Sequence, residues 1–210
     1  MSTRDAEPPT DENAHVSDER LLARFVAGDD SALGCLAGRY ERAMVGLARG
    51  LLGREDLARE AVQDTWVRVI RFAGSYDGRA SVRTWIYTIL TNICRDRGRT
   101  NAARSKRERA HERPPEQDRQ STADPRVVEA VAQLEEPGRE TLILCFHRGM
   151  THAQAAAVLG VPIGTVKSRM HKAMSRLRER LGVGDGLNAG TKPDRGTKPD
   201  RGTRPDGGSA

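Results

Sequence analysis

Residues 151–173, with the sequence THAQAAAVLGVPIGTVKSRMHKA, limit the possible folds of this chain more than any other stretch. Thr151 and Gln154 have the spacing of a capping box, which marks the start of a helix. Gly160 suits a left-handed helix end, and Pro162 suits the first turn of a second helix. Two short helices joined by so tight a turn are typical of a helix-turn-helix unit. The stretch therefore predicts local helical structure of that kind.

The second helix of this unit carries a high density of positive charge. Val166 and Met170 lie four residues apart and predict an inward face, so the cations between them are expected to point outward. Residues 162–181 hold six Lys or Arg residues and one Glu, a net charge of +5, and the whole chain carries +6. A solvated helix in a bundle would show similar charge. The capping box and the glycine turn together favour insertion of this helix into a DNA major groove.

The composition favours small helical domains. Only 4% of the 210 residues are aromatic and 37% are hydrophobic, so the core is expected to be aliphatic and modest in size. The cysteines, Cys35, Cys94 and Cys145, show no CxxC or Cys/His spacing, which indicates neither a disulfide framework nor a zinc site. The polar N-terminus does not resemble a signal peptide, and no apolar run approaches the ~18 residues of a membrane span. We predict a cytoplasmic protein without a metal, a cofactor or a membrane partner.

Apolar periodicity divides the chain into two helical domains and three polar segments. Residues 17–99 and 126–182 show apolar residues at helical spacing. Residues 1–16 are acidic and polar, residues 100–125 hold two adjacent prolines and almost no apolar residue, and residues 183–210 contain a GTKPDR repeat. We predict an all-α fold of two small helical domains joined by a flexible linker, with disordered ends.

Two local features of the first domain are predicted in more detail. The Gly28-Asp29-Asp30 sequence is expected to separate two helices, with Asp30 or Ser31 as the N-cap of the second. In the segment REDLAREAVQDTWVRVIRFAG, the predicted inward stripe comprises Val62, Trp66, Val69 and Ile70. An acidic strip, Asp56, Glu60 and Asp64, runs beside it at four-residue spacing.

Both helical domains resemble domains of one protein family. The second domain resembles the C-terminal, promoter-binding domain of bacterial sigma factors. The resemblance lies in the segment LEEPGRETLILCFHRGMTHAQAAAVLGVPIGTVKSRMHKAMSRLRERL. The first domain is similar to the sigma domain that binds RNA polymerase and opens the promoter. The resemblance lies in the segment DLAREAVQDTWVRVIRFAGSYDGRASVRTWIYTILTNICRD. Their order, with only a linker between them, resembles the extracytoplasmic-function (ECF) group of sigma-70 factors. The resemblance implies a region 2-like domain at residues 17–99 and a region 4-like domain at residues 126–182.

The resemblance also implies roles for individual residues. The residues that it assigns to the clamp coiled coil of the largest polymerase subunit are Glu60, Gln63 and Asp64. The residues that it assigns to the promoter −10 element are Arg83, Tyr87, Asn92, Asp96 and Arg97. The residues that it assigns to the −35 element are Thr165, Lys167, Ser168, Arg169, His171 and Lys172. Two positions depart from the family pattern, because Thr88 and Met174 stand where basic residues are common. The first departure implies the loss of one phosphate or core contact, and the second implies a weaker backbone contact to DNA.

The chemistry of strand opening agrees with the composition of residues 75–99. A factor that separates DNA strands without ATP must bind unpaired bases better than the duplex, which calls for aromatic or amide groups beside cations. Asn92 offers a paired donor and acceptor to a base edge. Trp85, although aromatic, matches a buried tryptophan of the family and is expected in the core.

The interpretation that follows is a sigma factor rather than an enzyme. Its expected partners are core RNA polymerase, promoter DNA and an anti-sigma factor. The first alternative is a conventional helix-turn-helix regulator that binds operators without polymerase. The second is a helical enzyme such as a nuclease, which no metal-ligand cluster or phosphate-binding glycine loop in the sequence favours. The basic linker is either a solubilising tether or, as the family resemblance implies, a segment threaded through the polymerase cleft.

Overall fold

A computed structural model describes residues 15–108 and 124–182 of the chain. Over these ranges the structure is all-helical and contains no strand, which confirms the predicted fold class. The α-helices are α1 (Asp18–Val26), α2 (Asp30–Leu52), α3 (Glu55–Phe72), α4 (Val82–Glu108), α5 (Pro125–Ala132), α6 (Glu136–Leu142), α7 (His152–Leu159) and α8 (Ile163–Leu181). The predictions made for residues 1–14, 109–123 and 183–210 fall outside the described residues.

The helix ends of the first unit, α1 to α4, follow from local capping. Ser17 caps α1, and its side-chain oxygen accepts a hydrogen bond from the backbone N–H of Arg20 at 3.3 Å. Asp29 caps α2 by accepting from the N–H of Ser31 at 3.1 Å. The predicted cap at Asp30 or Ser31 is therefore wrong by one or two residues, because the extended backbone of Asp29 places its carboxylate at the helix start.

The core of the first unit lies between α2, α3 and α4. Its largest members are buried aliphatic side chains together with Tyr87, whose ring meets that of Tyr40 edge-on at 6.2 Å between centroids. Val62 and Val69 are buried as predicted, and Trp66 packs against the core while partly exposed. Ile70 is 49% exposed, so its assignment to the inward stripe is wrong. It directly follows Val69, and neighbouring residues on a helix are about 100° apart.

The second unit, α5 to α8, is built around a continuation of α6. A π-helical turn, Ile143–His147, extends α6, and Gly149 with a φ of 60° then redirects the chain towards α7. Helix α8 contacts α5, α6 and α7. The residues of the small core that α8 shares with its neighbours are Ala130, Leu134, Leu142, Met170, Ala173 and Leu177.

The two units pack against each other and share one continuous core. Side chains of the π-helical turn, α7 and the start of α8 belong to the same buried cluster as side chains of α1 to α4. Helix α7 contacts both α4 and α8. Helix α4 continues to Glu108, beyond the predicted domain end at Arg99. None of the described helices is long and apolar enough to cross a membrane.

Candidate nucleic-acid interface

The turn between α7 and α8 has the capping box and the left-handed glycine that the sequence predicts. The Thr151 hydroxyl accepts from the N–H of Gln154 at 3.2 Å, and the Gln154 side chain accepts from the N–H of Thr151 at 3.0 Å. Gly160 ends α7 with a φ of 66°, a left-handed conformation that favours glycine. Pro162 was predicted in the first turn of α8 but is its N-cap, because its extended backbone (ψ of 146°) places it just before the first helical residue, Ile163. These local interactions fix the angle at which α8 leaves the unit.

Helix α8 presents a buried apolar face and an exposed polar face. Val166, Met170 and Leu177 are buried, as predicted from their spacing. The exposed residues assigned to the −35 element are Lys167, Ser168, His171 and Lys172. Thr165 and Arg169 are only half exposed. The face therefore offers hydrogen-bond donors and positive charge to a groove, which is the arrangement a recognition helix needs.

A carboxylate that sequence reasoning missed lies at the base of this face. Glu135, in the turn before α6, is ion-paired with Arg176 at 2.8 Å and lies 3.9 Å from the ammonium of Lys172. The Arg176 guanidinium is the main cause of a lowered pKa for the Glu135 carboxyl. This contact orients Arg176 along α8 and leaves Lys172 only weakly engaged, because 3.9 Å is too long for a strong hydrogen bond. No local spacing links Glu135 to α8.

The five residues assigned to the −10 element do not share one face of α4. Asn92 and Asp96 are exposed and lie four residues apart. Arg83 precedes Asn92 by nine residues, which is about two and a half turns of an α-helix, so the two lie on opposite sides. In this arrangement the structure brings Asn92 and Asp96 together and separates them from Arg83 and Tyr87.

Arg83 and Tyr87 are engaged inside the protein. The Arg83 guanidinium donates a hydrogen bond to the backbone carbonyl of Arg148, which lies in the second unit. Tyr87 is 2% exposed, and burial raises the pKa of its phenol. Burial also lowers the pKa of the neighbouring Arg148 guanidinium. Neither Arg83 nor Tyr87 is therefore free to receive an unpaired base in this conformation.

Arg97 joins α4 to the acidic strip of α3. Its guanidinium lies 2.6 Å from a carboxylate oxygen of Glu60 and 2.6 Å from one of Asp64. The hydrogen bond to Asp64, followed by that to Glu60, raises the pKa of Arg97. Both carboxylates remain more than half exposed, and Gln63 beside them is also exposed. The strip is thus accessible to a partner although it already binds a cation.

An ion pair that the sequence did not reveal joins the two units. Arg95 of α4 donates two hydrogen bonds to the Glu140 carboxylate of α6, at 2.7 and 2.8 Å. The Glu140 side chain is only 4% exposed. A bidentate pair of this kind is among the stronger charge-assisted contacts in proteins. Its partners are 45 positions apart in the chain, so no motif could have indicated it.

The described side chains show no metal-binding cluster. Over residues 15–108 and 124–182, no group of three or more His, Cys, Asp or Glu side chains is placed to hold a metal ion. Cys35 and Cys94 are buried and Cys145 is partly buried, all as free thiols. Burial, with a smaller effect of Glu140, raises the pKa of Cys94 to about 12. That thiol is therefore protonated at neutral pH.

Comparison with protein families matches both units. The family described as Sigma-70 region 2 matches residues 36–104, and the family described as Sigma-70, region 4 matches residues 130–179. The ECF RNA polymerase sigma factor SigM of Mycobacterium tuberculosis (strain ATCC 25618 / H37Rv) is 35% identical over 174 residues, which cover 79% of this chain and 85% of that protein. The ECF RNA polymerase sigma factor SigK of Mycobacterium sp. (strain JLS) is 31% identical over 180 residues, or 78% of this chain and 90% of that protein.

Two solved structures have a similar fold. CnrH in complex with the cytosolic domain of CnrY has a TM-score of 0.62 and 28% identity, covering 79% of this chain and 97% of that one. The sigma factor RpoE in complex with the anti-sigma factor NepR, from Bartonella quintana, has a TM-score of 0.59 and 27% identity, covering 68% of this chain and 92% of that one.

Proposed function

Because the chain belongs to the sigma-70 family, in the ECF group of RNA polymerase sigma factors, we propose a division of its work between the two units. As a sigma factor it binds core RNA polymerase and directs promoter recognition, strand opening and transcription initiation. The first unit, at residues 17–99, holds the polymerase and the −10 element. The second unit, at residues 126–182, binds the −35 element.

The observation that carries the second assignment is the exposed face of α8. Lys167, His171 and Lys172 lie together on that face, while Val166 and Met170 anchor the opposite side. Lys donates to guanine O6 and N7 in the major groove, and Ser168 and His171 reach bases or phosphates. Thr165 and Arg169, at the edge of the face, contact the DNA backbone in this proposal.

The first unit contributes two separate surfaces. The accessible carboxylates of Glu60 and Asp64, with Gln63 between them, form the docking surface for the basic clamp coiled coil of the largest polymerase subunit. The exposed pair on α4, Asn92 and Asp96, is the part of the −10 surface that is available without rearrangement. Asn92 binds a base edge in this proposal.

Regulation by an anti-sigma factor is supported by a neighbouring structure. In the RpoE structure an anti-sigma factor is the bound partner of a sigma factor with a similar fold. We assign a partner of that class to this chain. In this proposal the chain acts in the cytoplasm by binding polymerase and promoter DNA, without catalysis, a cofactor or a metal.

The conventional regulator and the helical enzyme are less well supported. A regulator that acts without polymerase has no use for the matched region 2 unit or for its acidic docking surface. An enzyme needs a reactive cluster, and the part of the chain described by the structure contains none with metal-binding geometry.

The experiment that tests the function is run-off transcription with purified core polymerase on genomic promoter fragments. The full-length protein should give discrete transcripts only when core polymerase is present, and should show little specific promoter binding alone. A matched gel-shift assay without polymerase provides the control. Tight, salt-resistant and specific binding by the isolated protein would instead support the conventional regulator.

A further inference from the structure

The side chain of Glu135 contacts α8 and not the helix that Glu135 begins. Glu135 is the N-cap of α6, but its side chain makes no hydrogen bond that caps this helix. Its backbone carbonyl accepts from the N–H groups of Gly138 and Arg139. The carboxylate instead forms the 2.8 Å ion pair with Arg176 and lies 3.9 Å from the ammonium of Lys172. The charge of Glu135 is therefore not used to begin α6, and its described contacts are with cations of α8.

A cationic cavity surrounds this carboxylate. The cavity lies between the start of α6 and α8, has a volume of about 250 Å³, and is named here the α6–α8 cavity. Its charged lining consists of three cations, Arg169, Lys172 and Arg176, and one carboxylate, Glu135. The cations are three and four residues apart, so they lie along one side of α8. The cavity therefore has an excess of positive charge.

The ion pair in this cavity is exchangeable. The side chains of Glu135, Lys172 and Arg176 are 63%, 65% and 35% exposed. Ion pairs at such exposure contribute little to stability, because water and salt screen both charges. A phosphodiester carries a single negative charge, as a carboxylate does, and a guanidinium binds two phosphate oxygens through parallel hydrogen bonds. A phosphate can therefore replace the carboxylate at Arg176 without an energetic barrier from burial.

The α6–α8 cavity adjoins the exposed face of α8 that was assigned to DNA. Lys172 belongs to both the face and the cavity lining. Arg176 follows Lys172 by about one turn of the helix. Half or more of the hydrogen bonds in protein–DNA complexes go to phosphates and sugars, and these contacts fix the position of the base-reading side chains. A groove that receives the face of α8 therefore brings backbone phosphates close to the cavity.

We propose that the α6–α8 cavity is a binding site for one phosphate of the DNA backbone, and that Glu135 occupies this site in the free protein. This inference rests on the proposed function of α8 as the helix that reads the −35 element. DNA that approaches α8 must displace Glu135 before Arg176 binds a phosphate. Every DNA sequence offers this phosphate, so Glu135 lowers the affinity of the free protein for DNA of any sequence.

Masking of this kind favours the encounter with polymerase. A genome offers about 10⁶–10⁹ non-specific sites, and an additional phosphate contact raises the affinity for all of them. A free chain that is retained on bulk DNA is withdrawn from polymerase. The ammonium of Lys172, at 3.9 Å from Glu135, stays available for a base. The carboxylate therefore weakens general DNA binding more than base reading.

The test measures binding of the free full-length protein to a non-specific DNA duplex by fluorescence anisotropy. Glu135→Gln removes the charge and keeps the size of the side chain, so it should bind the duplex more tightly than the parent. One added phosphate contact steepens the salt dependence by about 0.9, so the gain should be about 3.5 times larger at about 50 mM than at about 200 mM salt. Glu129→Gln is the matched control. It removes the same charge from α5, where the carboxylate accepts from Gln133, and should produce a smaller gain.

A double substitution assigns the gain to Arg176. Arg176→Gln in the Glu135→Gln background should abolish the gain, because the released guanidinium is the group that binds the phosphate. A gain that survives this substitution, or equal gains in Glu135→Gln and Glu129→Gln, would overturn the proposal. A purely structural role of Glu135 would lower the melting temperature of Glu135→Gln without tighter DNA binding, and that result would overturn it as well.

Lys167→Ala separates failure of this inference from failure of the proposed function. Lys167 is exposed on the same face of α8 and does not line the cavity. Its removal should weaken DNA binding by the free chain in the same assay. No effect of Lys167→Ala would refute the assignment of α8 to DNA, and the phosphate site with it. Weaker binding by Lys167→Ala, together with an unchanged affinity of Glu135→Gln, would refute the masking by Glu135 alone.

Discussion

The guanidinium of Arg97 lies 2.6 Å from the carboxylate of Asp64, so a residue assigned to promoter DNA is ion-paired with one assigned to polymerase. A cationic clamp that binds Asp64 competes with Arg97 for the same carboxylate. If polymerase binds this strip as proposed, its binding should favour release of Arg97, which then has a positive charge available for the DNA backbone. We expect the two proposed functions of the first unit to be electrostatically linked through this contact.

Charge reversal at Asp64 should separate folding from polymerase binding. In Asp64→Lys the new ammonium faces Arg97 and the basic clamp, and like charges across an interface cost several kcal/mol. The lost ion pair is half exposed and is worth only about 0–1 kcal/mol to folding. We expect a nearly unchanged melting temperature and loss of co-purification with core polymerase. Glu41→Lys, at an exposed position on α2, is the control and should keep polymerase binding. Normal binding by Asp64→Lys would remove α3 from the docking surface.

Removal of Lys172 should weaken recognition of the −35 element. Its contact with Glu135 is long, so the ammonium is available for a base, and one good base contact is worth roughly 1–3 kcal/mol. We expect Lys172→Ala holoenzyme to bind promoters with an intact −35 element about 5- to 150-fold more weakly. Binding to fragments with a scrambled −35 element should change little. Arg180→Ala, at the far end of α8 and bonded to Gln133, is the control in the same gel-shift assay. An equal loss on both fragments would assign Lys172 to the phosphate backbone.

Removal of the Asn92 amide should affect strand opening and not initial binding. Asn92 is exposed on α4, and its only described polar contact is with Arg95 at 3.5 Å, at the limit of hydrogen-bond length. We expect Asn92→Ala holoenzyme to form closed complexes with nearly normal affinity. Permanganate reactivity of unpaired thymines should fall. Glu41→Ala is the control, and loss of binding in step with opening would show that Asn92 acts on the duplex.

The cysteines should differ strongly in reactivity. The pKa of Cys94 is raised to about 12 from an ordinary value of 9.0. Its thiolate population at pH 8 is therefore about a thousandfold below that of an ordinary thiol. We expect iodoacetamide to modify the partly buried Cys145 first, and to leave Cys94 unmodified until the protein unfolds. Mass spectrometry of the alkylated peptides, with a sample in denaturant as the control, measures this order. Early modification of Cys94 would show that its side of α4 is accessible.

Stability should also fall at high pH for the same reason. A folded protein that keeps Cys94 protonated binds more protons than the unfolded chain between pH 9 and about 12. The unfolding free energy therefore decreases as the pH rises through this range, and the contribution is fully present below pH 9. Burial raises the pKa of the Tyr87 phenol as well, which adds a decrease in the same direction. Urea unfolding at pH 8, 9, 10 and 11 measures the trend, and a flat profile would contradict it.

The hydroxyl of Thr151 should stabilise the second unit measurably. It satisfies the N–H of Gln154 at the start of α7, and loss of such a cap costs about 0.5–2 kcal/mol. We expect Thr151→Ala to lower the unfolding free energy by about 1 kcal/mol in urea titrations. Thr151→Ser keeps the hydroxyl and should stay close to the parent. A destabilisation shared equally by both variants would point to the lost methyl group instead.

Features set by local interactions could be predicted from the sequence. The capping box at Thr151, the left-handed Gly160 and the inward spacing of Val166 and Met170 each depend on residues within a few positions of each other. The orientation of the exposed face of α8 followed from them. The helix-turn-helix could therefore be predicted from the sequence alone.

Features set by tertiary packing could not be predicted. The Arg95–Glu140 pair, the Arg97 bridge and the Glu135–Arg176 contact join distant helices, and many other pairings of the same charges were equally compatible with the sequence. The interpretation of two domains on a flexible linker left the units independent. Their shared core depends on shape, namely on the space that Gly50 leaves for Ile143, and spacing patterns contain no information about shape.

The missing side chain at position 50 also limits which residues α2 can carry beside the shared core. An alanine there would place its Cβ 2.9 Å from the Cδ1 atom of Ile143, which is the end of a flexible side chain. We expect a residue of that size to be accommodated by a shift of this one atom, whereas a larger residue must displace the π-helical turn itself. The size tolerated at position 50 is therefore set by a side chain far along the sequence.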